Sequence, residues 1–302
     1  MRLIDPRGRG ATARLALVAV AATAALAIGL LGTGCQGEAA DDQAAPAAEQ
    51  AGDGQQAAEA TDAGQEASYS FKTMVLGRYA EGDGELAGTP KYSYLEVTGS
   101  QPSEAIDGIN AEMKQEAENA FAKQMTEEIY TNPTDEQMGQ EFYETYTFGC
   151  SYLDGATMCI VHSEYTNRPQ AAHGTPVTTS LTYDLAAGSV VTPAEVVGLS
   201  SDELGALAWS AVDGYLTENG DVFTSAAEAF PDAADKAIVP AEAVTYCLTP
   251  DGVVAVFQPY AIGSYAMGTP RLLVCDLNGN PASSTEEVEI KMLPGDGEQD
   301  AA

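Results

Sequence analysis

Five cysteines and two histidines carry the most reactive side chains of this 302-residue chain. Cys35 stands apart, because it directly follows the small residues at 32–34 and an uncharged, Ala- and Leu-rich run at 15–31. A cysteine at this position is typical of a lipoprotein signal, in which the thiol takes a diacylglyceryl group and the cysteine becomes the new N-terminus. We therefore expect Cys35 to be a lipidation site.

The other four cysteines form an even set, which in an exported chain predicts two disulfides. Asp154-Gly155 predicts a two-residue hairpin turn, and this turn would place Cys150 opposite Cys159 at a non-hydrogen-bonded position. Cα atoms at such a position lie roughly 4.5 Å apart, which a disulfide can span. Cys247 then pairs with Cys275, between two later strands. The alternative is four reduced thiols in the core.

The two histidines indicate catalysis only weakly. His162 lies in a predicted strand, where a partly buried structural side chain is expected. His173 precedes Gly174 in a loop, where a general base or a metal ligand is conceivable because histidine titrates near neutral pH; a loop-shaping role is favoured. The carboxylates are too numerous for spacing to single out a catalytic pair, and no phosphate loop, GxSxG elbow or metal-site spacing occurs. We expect no catalytic residue, metal site or cofactor.

The net charge narrows the classes of partner. The chain carries 45 acidic and 13 basic residues, and residues 68–284 alone carry 30 acidic and 8 basic residues, a net charge of −22. Such a balance argues against nucleic acid, whose phosphates require clustered basic residues, and against a basic face on anionic lipid. It is consistent with simple solubility, or with steering of a cationic partner.

The composition also divides the chain. Residues 1–34 predict a lipoprotein signal peptide with a positive head, although an uncleaved membrane anchor is the alternative. Residues 35–67 are rich in Ala, Gln, Gly and acidic residues, lack aromatic residues, and predict a disordered acidic tether. Residues 294–302 predict a second disordered tail. The folded body would then face the outside of the cell, held at the cell membrane by its lipid.

Between the tether and the tail, hydrophobic periodicity predicts two long amphipathic helices, at about 103–130 and 201–216, and a short helix starting at Thr192-Pro193. Strands are predicted at 69–79, 92–98, 142–152, 157–165, 177–184, 244–248, 253–257, 271–276 and 288–292. Hairpins between strands indicate an α+β fold with a mainly antiparallel sheet. We expect two tandem units, 68–165 and 166–293, each with one long packed helix.

Several short motifs in this body are shared with a known family. They are Tyr94–Gly99 with Ile109-Asn110, Ala172-His173-Gly174, Leu181–Gly188, Tyr246–Gly252, and the PY-x-I-x-x-YA-x-G stretch that ends at Gly268. In this order they resemble the tandem extracytoplasmic domain of lysozyme-sensing anti-sigma factors, a domain of unknown function that is also appended to peptidoglycan deacetylases. The sequence departs from the family at Ala171, where the family usually has glycine. The resemblance implies a binding module with lysozyme as the leading partner.

Three functions follow as hypotheses. The first is a non-enzymatic surface lipoprotein that binds a cationic protein such as lysozyme, or peptidoglycan, as a decoy or inhibitor; His173, Gly174, Tyr260 and Tyr265 are its candidate ligand-binding residues, because tyrosine is a frequent interface anchor. The second is an envelope enzyme acting on peptidoglycan through His173. The third is a solute-type or structural lipoprotein, which a large apolar pocket would favour.

Overall fold

The computed structural model describes residues 68–79, 88–126, 143–167 and 171–301, which all belong to the compact unit Ala60–Ala302. The predicted signal peptide, the lipidation site Cys35 and the acidic tether lie outside the described residues. In the described ranges, no helix is both long enough and apolar enough to cross a membrane.

The strands and helices occur in blocks along the chain. The strands are β1 (Tyr69–Arg78), β2 (Pro90–Gly99), β3 (Tyr143–Leu153), β4 (Thr157–Asn167), β5 (Thr175–Asp184), β6 (Ser189–Val191), β7 (Val244–Thr249), β8 (Gly252–Phe257), β9 (Arg271–Cys275) and β10 (Glu298–Asp300). The helices are α1 (Glu104–Thr126), α2 (Pro193–Val196), α3 (Ser201–Asn219) and α4 (Ala226–Ala229), and short 3-10 turns lie between α4 and β7 and between β8 and β9. Both long helices and eight of the nine predicted strands are therefore confirmed.

Two sheets form the scaffold. The larger sheet has seven strands in the order β10-β1-β2-β3-β4-β5-β6, and the smaller has the order β7-β8-β9. Neighbouring strands are antiparallel except for the β10–β1 and β2–β3 pairs, which are parallel. The α+β class with mainly antiparallel pairing is confirmed.

The predicted boundary between two tandem units falls inside the larger sheet. β4 and β5 pair along their whole length, from Thr157 opposite Asp184 to Thr166 opposite Thr175. The strands on either side of residue 166 therefore share one sheet rather than starting separate ones. Strand periodicity identifies strands but does not say which strands pair, so the sequence could not exclude this continuity.

The C-terminal residues correct a second expectation. The predicted disordered tail contains β10, which pairs with β1 so that Thr73 lies opposite Glu298. The Arg78 guanidinium holds this strand by contacts of 3.0 Å to Glu298 and 3.2 Å to Asp300. The strand predicted at 288–292 does not form; near it, one isolated bridge joins Glu287 to Leu272.

The first core lies between α1 and the larger sheet. Ser103 caps the helix as predicted, because its hydroxyl accepts a hydrogen bond from the Ile106 amide. The buried face of α1 follows helical spacing and consists of Ile106, Ile109, Met113 and Ala117. Asn110 lies beside this face and bonds both backbone groups of Val97, at 2.8 and 2.9 Å, so that the helix is fixed to β2.

The second core joins the smaller sheet, α3 and the other face of the larger sheet. Every residue of β8 is buried, which shows that this central strand is covered on both faces. Helix α3 begins with a capping box in which Ser200 and Glu203 satisfy each other's backbone amides. It ends at Asn219, before Gly220, as predicted.

The cysteines differ from the predicted disulfides, because all four described thiols are free and buried. Cys150 lies opposite Ile160, and Cys159 lies opposite Tyr152, and a β-bulge shifts the register between Cys150 and Tyr152. The extra residue of the bulge is Ser151. Leu153 lies opposite Met158, so the turn lies one residue later than predicted, and this displacement together with the bulge moves Cys150 and Cys159 out of the paired position.

The second predicted disulfide is also incompatible with the sheet. Cys247 pairs with Val254 and Cys275 with Val253, so strand β8 lies between the two cysteines. Neighbouring strands are about 4.8 Å apart, which puts strands on either side of a third at roughly twice that distance, beyond the reach of about 7 Å for Cα atoms joined by a disulfide.

Cys159 accepts a backbone hydrogen bond where the two sheets meet. β7 is an edge strand of the smaller sheet, so its outward backbone groups need partners from elsewhere. The Leu248 amide donates to Cys159 Sγ at 3.3 Å, and the Leu248 carbonyl accepts from Ser151 Oγ at 2.7 Å. Ser180 Oγ donates to the Tyr246 carbonyl at 2.5 Å. These bonds cover the β7 edge with side chains of the larger sheet.

These environments predict how the thiols react. Burial raises the pKa of Cys150 and of Cys247 to about 12, so a thiol reagent, which requires the thiolate, is expected to react slowly with the native protein. In a Cys35→Ser variant treated with denaturant but no reductant, we expect four thiols to titrate with a chromogenic disulfide. Two or fewer thiols would instead indicate that disulfides form.

Candidate functional site

The structure brings together all four residues that the sequence singled out for ligand binding. His173 and Gly174 lie immediately before β5, whereas Tyr260 and Tyr265 lie in the segment between β8 and β9. The His173 ring stacks on the Tyr265 ring with centroids 3.5 Å apart and an interplanar angle of 15°. Residues 87 positions apart in the chain thus form one cluster, which we call the aromatic site.

Hydrogen bonds fix the orientation of each ring in the aromatic site. His173 Nε2 lies 2.7 Å from the Tyr260 hydroxyl, and His173 Nδ1 lies 2.9 Å from the Gly174 carbonyl. The carbonyl can only accept, so Nδ1 carries a proton and, in the neutral ring, Nε2 accepts the Tyr260 proton. The Tyr265 hydroxyl also donates to the Gly174 carbonyl, at 2.8 Å. Both nitrogens of His173 are therefore engaged in holding the loop, which matches the favoured expectation for this residue.

Tyr260 is the exposed member of the aromatic site. Its side chain is 60% exposed, the largest value among the exposed large hydrophobic residues of the described chain. Its backbone has a φ of 72°, a left-handed conformation that costs a residue with a Cβ roughly 1–2 kcal/mol. Backbone strain of this kind persists where surrounding contacts over-determine it, and it concentrates at functional sites.

Gly174 is required for the close approach of a neighbouring ring. A Cβ atom at this position would lie 2.1 Å from the Tyr165 hydroxyl and 2.2 Å from Tyr165 Cζ. The glycine therefore lets the Tyr165 ring pack against the backbone whose carbonyl receives His173 and Tyr265. Its role is steric, and its own carbonyl supplies the polar contact.

Two contacts from outside the motif position the segment that carries the tyrosines. The side chain of Gln258 bonds both backbone groups of Thr178, at 3.1 and 2.5 Å, which joins this segment to β5. The carboxylate of Asp221, just after α3, accepts from the Ser264 amide at 3.1 Å and from the Ser264 hydroxyl. These bonds lower the pKa of Asp221, so the carboxylate remains charged where it caps the Tyr265 turn.

The cleft beside the aromatic site is small and open. It has a volume of about 280 Å³ and is lined by residues of β4 and β5 with His173, including Glu164 and Thr166. One face of His173 therefore borders space that a ligand group could enter. No group of three or more His, Cys, Asp or Glu residues in the described ranges is arranged to hold a metal ion.

His162 lies apart from the aromatic site, within β4. Its Nδ1 is 3.1 Å from the Thr179 hydroxyl, and its ring lies 4.0 Å from the Tyr146 ring and 5.0 Å from the Phe148 ring. Burial lowers the pKa of His162 to about 4. This environment is the partly buried structural one expected for His162.

Sequence reasoning missed the supporting residues. Asp221 and Ser264 are 43 positions apart, and nothing in their local sequences signals a contact. Gln258 directly precedes the PY-x-I-x-x-YA-x-G stretch that begins at Pro259, so its position could have nominated it. Tyr165 carries no local signal, because its relation to Gly174 depends on how β4 and β5 pair.

The family comparison covers only part of the chain. Residues 214–274 match the model of a family described as a protein of unknown function (DUF3298). This span contains Asp221, Gln258, Ser264 and both tyrosines of the aromatic site, but not His173 or Gly174. The part of the resemblance that concerns a domain of unknown function is thus confirmed for these residues.

Two solved structures are similar to this chain. A DUF3298 family protein from Pseudomonas aeruginosa PAO1 is 16% identical, with 74% of this chain and 97% of that chain covered and a TM-score of 0.40. A DUF3298 family member from Bacteroides fragilis NCTC 9343 is 14% identical, with 69% and 88% covered and a TM-score of 0.37. No curated protein matches the chain.

Proposed function

We propose that this protein is a non-enzymatic bacterial cell-surface lipoprotein that binds a protein or cell-wall ligand through the aromatic site. The observation that carries this proposal is Tyr260, which is 60% exposed although its hydroxyl is 2.7 Å from His173 Nε2 and its backbone is held at a φ of 72°.

A constrained tyrosine is well suited to recognition. Ordering a side chain on binding costs about 0.5–1.5 kcal/mol, and a group already held in its bound conformation avoids much of that cost. Tyrosine is enriched among the few residues that dominate interface energies. His173 and Tyr265 are the supporting layer beneath Tyr260, and Asp221 and Gln258 hold that layer in place.

The charge of the folded body supports a cationic partner. Residues 68–284 carry 30 acidic and 8 basic residues, so 22 negative charges remain after every base is counted. Some of those bases are already paired within the chain, as in Lys72–Glu96 and Lys114–Glu118. A strongly negative surface raises the association rate of a cationic protein. Lysozyme is the leading partner by the resemblance, peptidoglycan is the other, and nucleic acid is disfavoured.

The proposed location follows from the N-terminal sequence. Lipidation of Cys35 would anchor the chain in the cell membrane, and residues 36–67 would hold the folded body outside. A binder in this position could sequester lysozyme as a decoy or inhibit it. Mass spectrometry of the protein isolated from a host envelope tests this part, since an unmodified leader would contradict it.

We expect the protein to bind immobilised lysozyme at low salt and to be released by about 0.3 M salt. At this salt concentration the Debye length lies between roughly 3 and 8 Å, so attraction between charges farther apart is screened. Tyr260→Ala should weaken binding at low salt at least about 10-fold, as expected for an interface anchor. Met292→Ala is the matched control, because Met292 is a large apolar residue that is 45% exposed and lies against Gly149 of β3.

Two results would contradict the lysozyme proposal. One is the absence of salt-sensitive retention. The other is equal weakening by Tyr260→Ala and Met292→Ala, which would separate lysozyme binding from the aromatic site. Retention on purified peptidoglycan that depends on Tyr260 would assign the cell wall as the ligand. Failure on both ligands would leave a structural lipoprotein.

A second candidate, an envelope enzyme acting on peptidoglycan, is favoured by one contact. His173 borders the cleft that also contains Glu164, and its Nε2 is positioned to exchange a proton with the Tyr260 hydroxyl. Turnover of muropeptides by the wild-type chain and by His173→Ala tests this candidate. A rate of zero for both chains removes it, whereas turnover that is lost with His173 would replace the binding proposal.

A further inference from the structure

A second cavity lies beside the C-terminal half of β5, whereas the aromatic site lies at the N-terminal end of this strand. It has a volume of about 490 Å³, within the range of about 300–1,000 Å³ that is usual for small-molecule sites. It opens where β5 and β6 of the larger sheet meet β7 of the smaller sheet, and the first turns of α3 close one side. Val190, which is 53% exposed, lies at its rim.

The lining of this cavity is uncharged. Its apolar members include Leu181, Val191, Leu204, Val239 and Val244, and among the residues that the structure describes no Asp, Glu, Lys, Arg or His contributes to it. Moving a charged group into apolar surroundings without a counter-charge is costly. The lining therefore selects against an ionised ligand and favours an aliphatic one.

Two hydroxyl groups in the lining residues have no hydrogen-bond partner. They are Thr182 Oγ1, on a residue only 2% exposed, and the buried Tyr246 hydroxyl. Neighbouring hydroxyls are used within the protein, since Ser180 Oγ donates to the Tyr246 carbonyl and Thr192 Oγ1 caps α2. Buried polar groups are almost always bonded, so two unpartnered hydroxyls on residues that line one cavity call for an explanation.

Burial also fixes the state of the tyrosine. It raises the pKa of Tyr246, so the hydroxyl stays protonated at neutral pH. It can then donate to an oxygen of a ligand, while the Thr182 hydroxyl can both donate and accept after rotation about its side-chain bond. A neutral carbonyl or hydroxyl oxygen is the complementary group.

We propose that this cavity binds an uncharged aliphatic molecule with a neutral ester or hydroxyl head, of the monoacylglycerol type, whose oxygen pairs with Thr182 and Tyr246. The chain of the ligand packs against the aliphatic lining, and the rim at Val190 is the entrance. This site shares no residue with the aromatic site, so the inference stands or falls independently of lysozyme binding.

Calorimetric titration with 1-decanoylglycerol and with decanoate tests the ligand class. At about 0.15 M salt, where long-range repulsion from the acidic body is screened, we expect one saturable site that prefers the uncharged ester at least about 10-fold. Val190→Asp should weaken binding of the ester at least about 10-fold, because it places a charge at the entrance. Val222→Asp is the matched control, since Val222 is 57% exposed and does not line the cavity.

Removal of the hydroxyls tests the polar contacts. Thr182→Val and Tyr246→Phe should each weaken binding of 1-decanoylglycerol by about 2- to 10-fold, the usual effect of losing one hydrogen bond. Without ligand, neither variant should lower the melting temperature, because each removes an unpartnered buried group. The inference is overturned if no saturable binding occurs up to about 1 mM ester, if Val190→Asp binds as the wild type does, or if either hydroxyl variant melts at a lower temperature without ligand.

Discussion

Replacement of Gly252 by alanine is expected to lower the free energy of unfolding by about 3–5 kcal/mol, which combines backbone strain with overpacking. The residue has a φ of 137°, and a Cβ atom there would lie 2.0 Å from the Cys275 carbonyl oxygen and 2.8 Å from the Cα atom of Asp276. Both obstacles are backbone atoms, so no side-chain rotation relieves them. Since β8 is the buried central strand of the smaller sheet, displacing its first residue disturbs the second core.

Gly198→Ala is the matched control for this prediction. Gly198 also has a positive φ, of 74°, but nothing lies within 4 Å of a Cβ placed there. Gly198→Ala should therefore lower the free energy of unfolding only by the cost of backbone strain, about 1–2 kcal/mol. Urea denaturation of both variants and the wild type measures the difference. Equal losses for Gly252→Ala and Gly198→Ala would show that the close approach of β8 to the end of β9 is wrong.

The second large effect is a loss of stability on acidification that depends on His162. The unfolded chain takes up a proton on this residue near its usual pKa of 6.5, whereas burial lowers the pKa in the folded chain to about 4. Between these values the unfolded state binds more protons, so stability falls as the pH falls. Integration from pH 7.5 to pH 5 gives a loss of about 2 kcal/mol from this residue.

His162→Leu should remove this contribution while leaving the carboxylates unchanged. The difference in unfolding free energy between the wild type and His162→Leu should therefore change by about 2 kcal/mol between pH 7.5 and pH 5. Parallel pH profiles for wild type and His162→Leu would contradict the burial of the ring between β3 and β5.

Local signals in the sequence were sufficient for several elements. The spacing of Ile106, Ile109 and Met113 predicted the buried face of α1, and Ser103 predicted its start. Thr192-Pro193 predicted α2, which begins with a capping box. Such features depend on residues within one or two helical turns of each other, so periodicity and capping preferences identify them.

The cysteines show where local reasoning fails. The turn, which lies one residue later than predicted, and the inserted residue Ser151 together shift the partner of Cys150 from Cys159 to Ile160. The bulge directs the Ser151 hydroxyl to the Leu248 carbonyl, 97 positions away in the chain. The local turn signal at Asp154-Gly155 contains no information about β7, so it could not predict that a contact with β7 would accompany the bulge.

The aromatic site depends both on local sequence signals and on contacts between distant residues. The motif residues His173, Gly174, Tyr260 and Tyr265 could be nominated from the sequence, because tyrosine, glycine and proline in a short stretch indicate a shaped loop. The stacking of His173 on Tyr265 and the hydrogen bond to Tyr260 depend on the position of β5 relative to the segment after β8. Gln258 provides that position by its two bonds to Thr178.

The sequence by itself determined the α+β class, the two long helices, most strands, the acidity of the folded body and the residues of the aromatic site. These properties are encoded in composition and in patterns over a few residues. The tertiary structure alone decided that one sheet continues across residue 166, that β10 joins its edge, that the described thiols are free, and that two residues lining one apolar cavity carry unpartnered hydroxyls. Each of these depends on which distant backbone groups meet, and hydrophobic periodicity specifies the buried face of a strand but not its neighbour.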